Sequence, residues 1–160
     1  MIKNMNNDIL AYLPYKSSFL FVDNISFLDT NGVKGEYRLK EDAFFYEDHF
    51  AGNPITPGVI ITEIMAQIGL VVLGIYLLKE EGYESEISVN DGAFPLLTSI
   101  DISFCKIVLP GQKVIVTSQK KYFRFGKLKC SIEMHDESDE LIAKGIFSGI
   151  IKNASTKIKV

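Results

Sequence analysis

The run from Val59 to Leu78 restricts the fold more than any other part of the chain. It is apolar except at Thr62, Glu63, Gln67, Gly69, Gly74 and Tyr76, and it is long enough for about five helical turns. Pro57-Gly58 stands at its mouth, and Lys79-Glu80-Glu81 leads into Gly82 at its end, a conventional helix stop. A helix this apolar needs burial on nearly every side. About 20 apolar residues also suffice to cross a bilayer, but a glutamate, a glutamine and the proline-glycine corner oppose a membrane span and favour a buried core helix. Glu63 and Gln67, four residues apart, share one face of it. A carboxyl buried in such a helix is costly unless it is paired or stays protonated, and burial raises its pKa, which is how a general acid is made.

Just upstream, His49 lies among Gly52, Pro54, Pro57 and Gly58, residues that oppose a helix, so it belongs to a loop. Asp8 to Tyr12 reads as a short helix ending near Leu13-Pro14. Phe19 to Leu28 reads as a strand that turns at Asp29-Thr30-Asn31-Gly32. In its partner Val33, Gly35, Tyr37 and Leu39 alternate with Lys34, Glu36, Arg38 and Lys40, the period of a half-buried strand.

After the helix, Tyr83 to Gly92 is a polar connection. Strands are expected over Phe94 to Val108, Lys113 to Tyr122, Lys127 to His135 and Leu141 to Ile151, separated by a Phe-Gly turn and an acidic turn at Asp136 to Glu140. In the third of these Leu128, Cys130, Ile132 and Met134 face one way, which makes Cys130 core filler and His135 a solvated strand end. The order implies an α+β domain, an antiparallel sheet wrapped around one long central helix, over residues 1–151 with a C-terminal tail at 152–160. One sheet cannot cover all sides of that helix, so a homodimer is expected.

Length and composition agree with a single globular domain: 160 residues, 47% hydrophobic and 23% charged. A net charge of -3 gives no whole-chain case for nucleic acid. Cys105 and Cys130 form no CxxC, so neither a disulfide framework nor a zinc or other metal site is suggested. The N-terminus MIKNMNNDIL lacks the apolar core of a signal peptide, and a cytoplasmic location is the expectation.

The stretch HFAGNPITPGVIITEIMAQ resembles the signature of the hot-dog-fold (3R)-3-hydroxyacyl-acyl carrier protein dehydratases. His49, Phe50, Gly52, Pro54, Pro57, Gly58, Val59, Glu63, Ala66 and Gln67 fall in register with it. LPYKSSFLFVD and FCKIVLPGQKV resemble two further family segments, so the likeness spans about Leu13 to Ile151. The resemblance implies a hot-dog fold and removal of water from 3-hydroxyacyl thioesters on acyl carrier protein, in fatty-acid or related acyl-chain biosynthesis. It implies His49 as the base at the carbon alpha to the thioester, Glu63 as the acid for the 3-hydroxyl, and the Gly58 N–H as the donor to the thioester carbonyl. The last role agrees with the positive end of a helix. Phe50, Pro57, Val59 and Gln67 are implied at the substrate. The site's His and Glu are implied to come from opposite subunits of a homodimer, with a trimer of dimers as a higher assembly. Water loss beta to a carbonyl needs an acid and a base, and no cofactor.

The chain departs from the family pattern at several positions. Tyr15 replaces a histidine, Ser17-Ser18 an aromatic-proline pair, Asp48 a glycine before His49, Ala51 a proline and Gln112 an aspartate; Lys106 is a single basic residue where two are common. A carboxylate facing an imidazole favours imidazolium and weakens a base, unless it points away. Lys120, Lys121, Arg124, Lys127 and Lys129 fall within ten residues without an acid, interleaved with Tyr122, Phe123 and Phe125. This is a solvated hairpin or, at Lys120, Lys121 and Arg124, a docking patch for an acidic carrier protein. A hot-dog acyl thioesterase and a non-catalytic acyl-binding protein are the alternative readings.

Overall fold

The computed structural model describes residues 5–83 and 93–153. Six strands form one sheet: β1 (Asn24–Leu28), β2 (Gly32–Arg38), β3 (Ala93–Phe104), β4 (Lys113–Arg124), β5 (Lys127–Asp136) and β6 (Leu141–Asn153). Their order is β1-β2-β4-β5-β6-β3, antiparallel at every pairing. The apolar run forms one helix, α1, over Gly58–Glu80, and the expected wrapping of sheet around helix is present. A membrane-spanning length is thus spent on a core: 78% of the helix's most apolar window is buried inside the fold.

The turns follow from local chemistry. Asp29 Oδ1 accepts the N–H groups of Asn31 and Gly32 at 2.7 and 2.9 Å and closes the β1–β2 hairpin. Phe125 and Gly126 both take positive φ, 54° and 71°, which suits a two-residue turn between twisted strands. Asp136 Oδ1 accepts from Ser138 and Glu140 to shape the acidic turn.

Several element boundaries differ from the sequence expectation; β4 runs to Arg124, two residues past Tyr122, and β5 to Asp136. Met5–Tyr12 is a 3-10 helix that starts before Asp8. β1 begins at Asn24, not Phe19, because the Phe19 carbonyl and Phe21 N–H bond to the Gln67 side chain instead of a strand ladder. Phe21 and Val22 are buried all the same, which is why the segment is apolar. β3 ends at Phe104, where Cys105 and Lys106 both donate to Ile142 and the chain turns aside. β6 continues to Asn153, two residues past the expected end. The connection expected over Tyr83 to Gly92 lies outside the described residues from 84 onward, as does the tail from 154.

Along α1, Ile64, Met65, Ile68, Val72 and Leu73 are fully buried, against a sheet face that supplies Val114, Val116, Cys130, Ile132, Met134 and Phe147. Cys130 is core filler as expected, and burial raises its thiol pKa to about 11. The middle of the helix, Gln67–Val72, is wound as a π-helix, a form that gives no sequence periodicity of its own. There the sheet comes so close that a Cβ on Gly69 would lie 2.6 Å from Ile132 Cδ1, while Ser118 Oγ donates to the Gly69 carbonyl at 2.7 Å.

That contact generates a sign test. Gly69→Ala gains about 1 kcal/mol of helix propensity but collides with Ile132, a strain of about 1–3 kcal/mol. Ile132→Ala alone costs about 2–5 kcal/mol through the cavity it leaves. In the Ile132→Ala background the collision is gone, so Gly69→Ala should stabilise there while being neutral or destabilising in the native background. Denaturant midpoints of the four proteins measure this coupling.

Candidate active site

The loop that carries His49 is held by its own backbone. His49 N–H donates to Phe45 O at 3.1 Å, Ile55 N–H to His49 O at 2.9 Å, and Phe50 and Asn53 exchange N–H···O bonds of 3.2 and 2.9 Å. Gly52 supplies the left-handed turn at φ 72°. The loop's exit is tied to the sheet by Thr56 N–H on Val108 O at 2.8 Å, and the Thr56 hydroxyl meets the Tyr46 phenol at 2.5 Å. These two bonds explain why Val108 leaves β3: it anchors the loop.

The tautomer of His49 follows from geometry. Nδ1 lies 2.7 Å from the Ile55 carbonyl oxygen, which can only accept, so the neutral ring carries its proton on Nδ1. Nε2 is then left with its lone pair. The ring stacks on Phe50 with centroids 4.2 Å apart. Asp48 is exposed and forms no ion pair or hydrogen bond with His49 among the described residues. The carboxylate that the sequence placed beside the imidazole therefore makes no direct contact with it.

Pro57 ends the loop and α1 starts at Gly58. Ile60 and Ile61 already donate to Pro57 O, whereas the N–H groups of Gly58 and Val59 find no acceptor among the described residues, as expected of the first positions of a helix. No side-chain cap competes for them. A Cβ on Gly58 would press against the Phe104 ring at 3.3 Å, so the absence of a side chain keeps this donor accessible.

One turn on, Glu63 Oε1 accepts from Gln67 Nε2 at 2.8 Å. The same amide nitrogen donates to Phe19 O at 2.9 Å, and Gln67 Oε1 accepts from Phe21 N–H at 2.8 Å. Burial raises the pKa of Glu63 above the ordinary carboxylate value, and the Gln67 hydrogen bond offsets part of that rise.

Glu63 stands at a cavity of about 190 Å³ between α1 and the β3, β5 and β6 strands. Leu70, Val71 and Gly74 from the helix face Pro95 to Leu97, Leu128 and Gly149 to Ile151 across it. The side chains along the cavity are apolar apart from the Glu63 carboxyl and the Tyr15 phenol. Its size exceeds the roughly 150 Å³ of an engineered cavity that takes up benzene, so a short alkyl chain fits.

Of the candidate catalytic, substrate-binding and docking residues, Glu63 alone lines this cavity; Tyr15, Ala66 and Phe123, which the sequence named without a role at the substrate, line it as well. His49 and Gly58 do not reach it within one chain. Phe50 and Val59 are exposed, Val59 to 76%, while Pro57 is buried. Gln67 is fully buried and its amide is occupied by Glu63, Phe19 and Phe21, which leaves it no direct contact with a ligand. Lys120 is half-buried and Lys121 and Arg124 are exposed at the end of β4, with no acidic partner for any of the three among the described residues. The Arg124 guanidinium lies 4.8 Å from the centroid of the Phe125 ring at the hairpin tip. Sequence reasoning missed the cavity wall. Its signal was the stripe Glu63, Ala66, Leu70 and Gly74, which repeats at helical spacing but looks the same as core packing.

Comparison with known proteins places this arrangement. A family model described as a FabA-like domain matches residues 13–137. The 3-hydroxyacyl-[acyl-carrier-protein] dehydratase FabZ of Caldicellulosiruptor saccharolyticus is 35% identical over 113 residues, 69% of this chain and 73% of the relative. The FabZ of Lactobacillus helveticus is 31% identical over 134 residues, 81% of this chain and 83% of the relative. Among solved structures, the dehydratase heterocomplex ApeI:P from Xenorhabdus doucetiae aligns with a TM-score of 0.74 over 92% of both chains, at 13% identity. A hypothetical thioesterase with coenzyme A from Streptococcus pneumoniae aligns with a TM-score of 0.57 over 92% of this chain and 96% of its own, at 9% identity. At those identities the structures share the fold, a hot-dog, and nothing further; the sequence relatives decide the family. By the span and identity of those matches, the chain belongs to the FabA-like, hot-dog-fold family of 3-hydroxyacyl-[acyl-carrier-protein] dehydratases.

Proposed function

We propose that this protein removes water from (3R)-3-hydroxyacyl thioesters on acyl carrier protein to give trans-2-enoyl thioesters, in fatty-acid or related acyl-chain biosynthesis in the cytoplasm. The observation that carries the reading is the pairing of two prepared groups: a histidine whose Nδ1 is committed to Ile55 O, and a carboxyl with a raised pKa at the end of an apolar cavity. The neutral His49 Nε2 takes the proton from C2 of the acyl chain. Negative charge then moves to the thioester oxygen, where the free Gly58 N–H at the helix N-terminus stabilises it. Glu63, whose proton affinity burial raises, gives its proton to the leaving 3-hydroxyl, and water departs. The proton on Nε2 and the carboxylate left behind restore the starting state by exchange with solvent.

Because His49 lies outside the cavity that Glu63 lines, the working site is built from two chains. A homodimer supplies it, with His49 from one subunit and Glu63 from the other, and a trimer of dimers is a further assembly compatible with this. The exposed Lys121 and Arg124, with Lys120, form the docking patch for the acidic carrier protein. Phe123 and Gly126 from the same hairpin line the cavity, so a carrier bound there holds its acyl chain close to where it must enter.

Four measurements test this. Mass spectrometry of a 3-hydroxyacyl carrier protein should show loss of water, not loss of the acyl group, and His49→Ala and Glu63→Gln should each reduce the rate by about 100- to 10,000-fold. Mixing the two inactive variants and allowing subunits to exchange should restore activity, since one of the two sites in a mixed dimer is wild type; a site built within one chain would stay dead. Glu63 also carries a stability cost: its folded pKa is raised, so stability is full below the ordinary carboxylate pKa and is lost as pH rises through the raised value. Glu63→Gln should therefore be more resistant to denaturant than wild type at pH 7, with the difference vanishing at low pH. Lastly, reversing Lys120, Lys121 and Arg124 to glutamate should lower kcat/KM for carrier-bound substrate by at least tenfold at low salt, while a short thioester without the carrier is turned over as before.

A further inference from the structure

The cavity presents two polar side chains, and the reaction as described uses one. The other, Tyr15, is carried by the segment between Pro14 and the Ser17–Phe19 turn. Two hydrogen bonds hold that segment against α1: Gln67 Nε2 donates to Phe19 O, and Phe21 N–H donates to Gln67 Oε1. The third, to Glu63, comes from the same amide. One buried side chain thus ties the carboxyl to the segment that follows the phenol. The Tyr15 ring packs at 6.2 Å from that of Phe19, while its hydroxyl has no hydrogen-bond partner among the described residues. Burial first, and the charge of Glu63 second, raise the phenol's pKa far above its ordinary value. It is a neutral O–H donor at any working pH.

A donor without a partner, in an otherwise apolar cavity beside a general acid, fits a ligand with an oxygen at that depth. We infer that Tyr15 is a specificity-determining residue of this site, whose phenol O–H donates a hydrogen bond to the 3-oxygen of the bound acyl chain and holds it opposite the Glu63 carboxyl. The inference rests on the dehydratase reading, since it is that reading which puts a 3-hydroxyl in the cavity. The 3-hydroxyl is then held by two groups with different tasks. Tyr15 donates to its oxygen and selects chains that have one, and Glu63 transfers the proton that turns it into water. A saturated chain would leave the phenol unpaired in an apolar cavity, a cost that adds to the discrimination.

The test separates recognition from turnover. Binding of a (3R)-3-hydroxyacyl thioester and of the saturated thioester of equal length is measured by calorimetry on the slowed Glu63→Gln protein, with and without Tyr15→Phe, and mass spectrometry checks that the ligand is unchanged over the titration. Phenylalanine keeps the ring that packs on Phe19, and an unchanged thermal midpoint checks the fold. The expected result is a preference for the 3-hydroxy chain of about tenfold with tyrosine that falls to about unity with phenylalanine, while affinity for the saturated chain is unchanged or improved. In the background with Glu63 intact, Tyr15→Phe should raise KM for the 3-hydroxyacyl substrate more than it lowers kcat. An equal preference in both proteins overturns the role of Tyr15 and leaves the dehydratase reading standing if the wild type still releases water. A wild type that neither binds the 3-hydroxy chain nor dehydrates it overturns both.

Discussion

The side chain of Gln67 is where fold and chemistry meet. It is completely buried, and an amide in that position is tolerable only if its donors and acceptor are used. Here they are: Phe19 O, Phe21 N–H and Glu63 Oε1 take up three of its bonds. Without it, a buried backbone N–H and a carbonyl near the chain's start would each lose a partner, at about 1–3 kcal/mol apiece. The hold of the Phe19–Phe21 backbone on the helix and the hydrogen bond that Glu63 accepts both depend on this one group. Its hydrogen bond also opposes the burial that raises the Glu63 pKa, so the carboxyl's proton affinity reflects two forces of opposite sign.

Seating Gln67 requires a helix pressed into a sheet, and the middle of α1 is adapted to that closeness. Gly69 removes a side chain where Ile132 arrives, and Ser118, itself buried, finds its partner in the Gly69 carbonyl. Both features fall inside the π-helical stretch that begins at Gln67. Widened turns of this kind often accompany functional positions, and here the stretch starts at the residue that bonds the Glu63 carboxyl. The cavity runs along the same face through Leu70 and Gly74, so one helix provides that carboxyl, its support and one wall of the chamber.

Most of the architecture was legible because it rests on periodicity. The alternation in β2 and β5 predicted which residues would be buried, and the Phe-Gly pair predicted the tight turn. The limits have physical causes. Phe19 to Val22 carries a strand-like apolar pattern, yet its backbone bonds to a side-chain amide rather than to a ladder, and no local signal distinguishes the two. Val108 looked like the end of a strand and is instead the anchor of the His49 loop through Thr56. The π winding has no residue pattern. At the site, the resemblance named His49, Glu63 and Gly58, but the lack of contact between Asp48 and the imidazole, the tautomer of His49 and the occupied state of Gln67 are facts of three-dimensional placement.

The outer edge of the sheet explains why a single chain is an incomplete form of the proposed enzyme. β3 is twelve residues long, pairs only with β6 among the described residues, and exposes Leu97, Ile100 and Phe104, the last to 50%. A long apolar edge of this kind invites another strand. Pro95, Leu96 and Leu97 of that same edge form part of the cavity wall, and Phe104 covers the helix start at Gly58. In the proposed dimer, covering this edge would bury its apolar side chains, complete the chamber around Glu63 and bring a second His49 loop to it. Burial of surface and assembly of the catalytic pair would then be one event, with the hydrophobic effect that drives association also positioning the base.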